Sequence, residues 1–102
     1  MNASVAIQIV PSLTEREAKR AAVDAVIAYI QSSGVRYEVD PFETVMEGDY
    51  DTLMEIVKNC AKICVAAGAP SCMGYVKLSY DPAGAWSMED KVGRHRQRGD
   101  AQ

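Results

Sequence analysis

The chain has 102 residues, of which 48% are apolar and 25% charged, with a formal net charge of −3 at pH 7. That length supports one core and one domain, and the composition is that of a globular chain and not a disordered one. The acidic balance disfavours phosphate backbones as partners, and no run reaches the ~18 uninterrupted apolar residues of a membrane span, so neither nucleic acid nor membrane is an expected partner.

In chain order, residues 4–10 alternate as a strand, with Val5, Ile7 and Ile9 on one face, Ala6, Gln8 and Val10 on the other, and Pro11 as its stop. Thr14 and Glu17 stand in capping-box spacing, with Ser12 and Glu15 as an alternative register, so a helix begins near Glu15. Ala18, Ala22, Ala25, Val26, Tyr29 and Ile30 form its buried stripe, and Gly34 supplies a left-handed stop. Val35, Tyr37 and Val39 then alternate against Arg36 and Glu38. Asp40-Pro41 breaks that strand before a second over residues 42–47, and the two are expected to pair antiparallel. On the second strand Thr44 and Met46 point to one side, and Glu43, Val45 and Glu47 to the other.

Asp49 or Asp51 caps the next helix, whose Leu53, Ile56, Val57, Cys60, Ile63, Cys64 and Ala67 keep a helical period until Gly68 ends it. Residues 73–80 form a last strand, and Asp81-Pro82-Ala83-Gly84 turns out of it. Residues 87–92 add a helical turn with Ser87 as cap and Asp90 at its third position. Residues 1–92 thus read as one domain, and residues 93–102, with Arg94, His95, Arg96 and Arg98, as a basic, disordered tail.

The order strand, helix, strand, strand, helix, strand in so short a chain gives the α+β ferredoxin-like βαββαβ sandwich, a four-stranded antiparallel sheet with two helices on one face, plus the short C-terminal helical extension. Val5, Ile7, Ile9, Val76 and Leu78 are expected to face the helices. The open face is expected to carry Gln8, Arg36 or Glu38, Thr44, Met46, Tyr75 and Lys77, a mixture apolar enough to meet a second subunit or a ligand. Cys60 and Cys64 fall on the apolar stripe with Cys72 a short loop away, which reads as buried reduced thiols, with a thiolate metal site as rival. Reduced cysteines, and an N-terminus without a basic region before an apolar run, suit a cytoplasmic location. His95 is the one histidine and lies in the tail, so no Ser-His-acid or Cys-His arrangement arises, and the chain is expected not to be an enzyme.

The passages Ser4-Val5-Ala6-Ile7-Gln8-Ile9-Val10-Pro11, Ser33-Gly34-Val35-Arg36-Tyr37-Glu38-Val39 and Phe42-Glu43-Thr44-Val45-Met46-Glu47-Gly48, ahead of Leu53-Met54-Glu55-Ile56-Val57, resemble the thiamine-binding family. The likeness runs from about Ser4 to Val92. Thr44, Glu47 and Gly48 match the family's threonine followed by glutamate-glycine, and residues 87–92 look like the start of its C-terminal helix, which here gives way to Gly93 and the basic tail. The resemblance implies the ferredoxin-like fold, a homodimer or homotetramer, and non-catalytic binding of thiamine or its hydroxymethylpyrimidine moiety without a cofactor.

An aminopyrimidine needs an acceptor for its amine and donors for its ring nitrogens, which Glu47, Gln8 and Thr44 could supply. The cationic thiazolium favours an aromatic face or a carboxylate, with Tyr37, Tyr50, Glu38 and Glu47 as candidates and Trp86 a weaker one. The alternative from another class is a regulatory or structural interaction module with an interface pocket for a different small metabolite.

Overall fold

The computed structural model describes residues 1–95, so the part of the expected basic tail from residue 96 onward lies outside the described residues. The elements are β1 (Ala3–Pro11), α1 (Arg16–Ser32), β2 (Arg36–Val39), β3 (Thr44–Gly48), α2 (Tyr50–Ala66), β4 (Cys72–Tyr80) and α3 (Met88–Val92), followed by a 3-10 turn (Gly93–His95). Past the expected domain boundary, the chain therefore continues as that turn. The strands form one antiparallel sheet in the order β2-β3-β1-β4, which is the ferredoxin-like arrangement. Among the described residues no helix is long and apolar enough to cross a membrane.

Local chemistry explains where the helices begin and end. The first helix is capped by Glu15, whose carboxylate accepts from the Glu17 and Ala18 N–H groups, and not by the Ser12 or Thr14 hydroxyls. An ionised carboxylate reaching two orphan donors makes the stronger cap. Asp49 caps α2 by accepting from the Thr52 N–H, and Ser87 and Asp90 form a reciprocal capping box on α3. Gly34 and Gly68 take φ of 86° and 117° just beyond α1 and α2, the left-handed conformation that lets each helix stop.

The helices α1 and α2 cover one face of the sheet. Ala22, Val26 and Ile30 of α1 and Leu53, Ile56, Cys60 and Cys64 of α2 close on Ala3, Val5 and Ile7 of β1. Met46 is fully buried in the same cluster. This corrects the expected face of β3, because Val5 lies opposite Met46 and Ile7 opposite Thr44. Residues directly opposite in an antiparallel pair share a face, so Thr44 and Met46 point toward the helices. The open face instead carries Ser4, Ala6 and Gln8 of β1, Val45 and Glu47 of β3, Arg36 and Glu38 of β2, and Tyr75, Lys77 and Ser79 of β4. Phe42 and Glu43, expected in β3, belong to its hairpin turn, which the Asp40 N–H closes onto the Glu43 carbonyl at 2.9 Å.

Val76 and Leu78 are on the helix side as expected, yet they are 40% and 50% exposed. They sit on an edge strand that α2 covers only in part. Met73, Tyr75 and Tyr80 of the same strand are also exposed, so β4 presents apolar side chains on both of its faces.

All three cysteines are free thiols. Burial pushes the Cys60 thiol up to about 11, and the Cys64 thiol is raised by burial and then by the neighbouring Cys72 thiol. A thiol raised in the fold contributes stability that is fully present below its unfolded value of 9.0 and is lost as pH climbs through the folded one, so Cys60 erodes stability between about pH 9 and 11. At pH 8, iodoacetamide should label the half-buried Cys72 of the native protein first and spare Cys60 and Cys64 until urea unfolds it. Equal labelling of all three under native conditions would contradict the packing of α2. Among the described residues no group of three or more His, Cys, Asp or Glu side chains is placed to hold a metal ion.

Candidate ligand-binding site

The residues singled out from sequence fall into separate places. Glu47 projects from β3 to the open face, where its side chain is only 4% exposed. One carboxylate oxygen pairs with the Arg36 Nε at 3.2 Å, and the other accepts the Met88 N–H at 2.7 Å. The carboxylate thereby ties the first residue of α3 to the sheet, and the Lys91 Nζ to Ser4 Oγ contact of 3.1 Å holds the same helix one turn later. Both Glu47 oxygens are thus engaged within the protein. Glu38 lies on the same open face opposite Val45.

Tyr37 is on the helix side of the edge strand β2 and is 38% exposed. Tyr50 begins α2 at the far end of β3, its ring 4.6 Å from that of Tyr80 and its N–H donating to the Asn2 Oδ1. Neither tyrosine approaches Glu47 through a direct contact.

Thr44 and Gln8 are brought together. Both line a cavity of about 240 Å³ between α1 and the sheet, at the end closed by the β2–β3 hairpin. Its apolar walls are Ile7 and Ile9 of β1 with Val23, Val26, Ile27 and Ile30 of α1, and the hairpin residues 39–43 form its mouth. Thr44 is 6% exposed, and its hydroxyl makes no hydrogen bond with a described residue. It is not sealed off either, since no buried side-chain polar atom lacks a partner among the described residues. A hydroxyl in the lining of the cavity and without a described partner can donate to, or accept from, whatever enters.

The hairpin supplies the polar rim. Glu43 pairs with the Lys77 Nζ at 3.1 Å, whereas the Asp40 carboxylate has no side-chain ion pair with a described residue. The cleft continues past Gln8, Ile9 and Val23 into a groove lined by Lys19, Arg20 and Asp24. Asp40, Phe42, Val23 and Ile27 were missed from sequence as lining residues. Val23 and Ile27 carried a signal, being four apart on α1 beside the main stripe. Asp40 and Phe42 carried none, because their place at the mouth depends on how α1 docks over the hairpin.

The cavity can take one small ring, with a hydroxyl partner inside and a carboxylate outside. About 240 Å³ is less than the ~300–1,000 Å³ of pockets that bury drug-sized ligands.

Comparison with known proteins bears on the fold and the family. A family model described as "Thiamine-binding protein" matches residues 5–96. The UPF0045 protein of Clostridium perfringens is 44% identical over 93 residues, covering 91% of this chain and 96% of its own length. Among solved structures, a domain of unknown function from Bacillus cereus superposes with a TM-score of 0.85 at 33% identity, covering 94% of this chain and 91% of that one. A Thermotoga maritima protein, provisionally described as one of thiamine biosynthesis or salvage, superposes with a TM-score of 0.84 at 29% identity over 94% of this chain and all of that one.

Proposed function

The chain belongs to the thiamine-binding protein family, and from that footing we propose that it binds thiamine or its hydroxymethylpyrimidine moiety in the cavity under α1 without transforming it. The observation that carries this reading is the hydroxyl of Thr44, a residue only 6% exposed, unpartnered among the described residues and lining a cavity the size of one ring. A pyrimidine nitrogen would meet that hydroxyl, and the flat ring would lie against Ile7, Ile9, Val23 and Ile27. Gln8 borders the cleft from β1, but its side chain belongs to the open face of the sheet, so the ring is held from the Thr44 side.

Binding without chemistry is supported by what surrounds the cavity. The residues that line it include no cysteine, histidine or lysine, and its carboxylates stand at the mouth. His95 lies beyond α3, which packs on the other face of the sheet. What supports a homodimer or homotetramer is β4, whose exposed Met73, Tyr75, Val76, Leu78 and Tyr80 lie along an edge unpaired among the described residues. The apolar contact expected from Met46 belongs to the core instead.

Thr44→Val tests the site directly. The substitution keeps the shape and removes a hydroxyl that bonds nothing else described, so folding should be almost unchanged. One lost hydrogen bond is worth about 0.5 to 1.5 kcal/mol, so calorimetric titration should show thiamine binding weakened roughly two- to tenfold. A parent that binds thiamine and a variant that binds it equally well would move the pocket elsewhere.

A further inference from the structure

Phe42 is 80% exposed, the most exposed of the large apolar side chains, and still lines the mouth of the cavity beneath α1. It stands in the hairpin turn between Pro41 and Glu43, two residues from Asp40. A bare phenyl ring on a turn has no folding role that its exposure would satisfy, but at a pocket mouth it has a surface to cover. Asp40 is exposed beside it and carries a charge that no described side chain neutralises. Glu43, the neighbouring hairpin carboxylate, is already committed to Lys77 on the open face.

From these placements we infer that Phe42 and Asp40 are the specificity residues of the site, selecting a flat heteroaromatic ligand whose positive charge remains outside the cavity. The inference rests on the ligand reading above and adds which end of the ligand enters. A cavity of about 240 Å³ admits one ring, so a two-ring ligand must leave its second ring at the hairpin. The uncharged pyrimidine enters toward Thr44, since a cation among Ile7, Val26 and Ile30 would be desolvated without a partner. The cationic ring stays at the mouth, where Asp40 opposes its charge and Phe42 folds onto its face. The other end of the cleft favours the same direction, because Lys19 and Arg20 there would repel a cation toward the hairpin, with Asp24 offsetting only part of their charge.

Two ligands and two variants separate the contributions. Thiamine carries the cation, and free hydroxymethylpyrimidine at neutral pH does not. Titration calorimetry of the full chain should show Asp40→Asn weakening thiamine binding by up to about fivefold, the size of an exposed charge pair, while leaving the neutral pyrimidine unchanged. Raising salt should weaken thiamine binding to the parent and not to Asp40→Asn. Phe42→Ala should weaken thiamine by roughly two- to tenfold, as loss of an aromatic contact does, with an unaltered melting temperature because the ring is exposed. If thiamine binds the parent and Thr44→Val weakens it while Asp40→Asn and Phe42→Ala do not, the pocket stands and the assignment of its mouth is overturned. Equal losses for both ligands with Asp40→Asn would likewise overturn the charge assignment. A parent that binds neither ligand removes the underlying reading along with this one.

Discussion

Met46→Lys is expected to abolish the cooperative folded state. Met46 is fully buried on β3, opposite Val5 and within the cluster built by Ile7, Val26, Ile30, Leu53 and Ile56. Losing a buried methionine forfeits about 2 to 3 kcal/mol of apolar transfer, and an ammonium left without a partner costs several more. A domain of this size has about 5 to 15 kcal/mol in all, so the sum removes most or all of it. Circular dichroism during a urea titration should show no cooperative transition, whereas Met46→Leu, which keeps the volume, should lose less than about 1.5 kcal/mol. A Met46→Lys protein melting near the parent would mean that β3 presents its other face to the helices.

Glu47→Ala is the second large effect, and it should release α3 from the sheet while the sandwich survives. The substitution strips the acceptor from the Met88 N–H and the partner from Arg36. Hydrogen bonds to a charged group are worth about 1.5 to 3 kcal/mol, and Arg36, being mostly exposed, adds little through its charge. The expected loss is therefore about 1.5 to 3 kcal/mol of local stability. Hydrogen exchange read residue by residue should find the Met88 amide unprotected in the variant, with the amides of β1 still slow. Glu47→Gln, which keeps an acceptor for Met88, should be milder. Thiamine affinity should change little in either variant, since Glu47 and the cavity are on opposite faces of the sheet. A large affinity loss with α3 still docked would restore Glu47 as a ligand residue.

The two substitutions mark where sequence reasoning stopped. Alternation in residues 44–47 is plain, but each face of that strand carries one apolar and one polar residue, Thr44 with Met46 and Val45 with Glu47. Period alone separates the faces without saying which is inside. That choice is made by the register of β3 on β1, which brings Met46 against Val5. The strands, the glycine stops after both helices and the Ser87–Asp90 cap were legible because each depends on residues within a few positions of one another. Glu47 and Met88 are 41 positions apart, so their contact left no local mark. Thr44 and Gln8 were named for their chemistry and both border the cavity, Thr44 from the face opposite to the one expected, while the Gln8 side chain belongs to the open face.

The central place of β1 has a consequence for synthesis. It is made before the other described strands, yet every residue from Ala3 to Pro11 pairs with β4, whose Cys72–Tyr80 is made last among them. Until then the half-made sheet ends at β1, whose Val5 and Ile7 must find cover without their neighbours Leu78 and Val76. Contacts that span so much chain close slowly, and an open apolar strand is a site for wrong pairing while it waits. A nascent chain halted before Cys72 would thus display β1 as bait for chaperones, and release of the full chain would withdraw it.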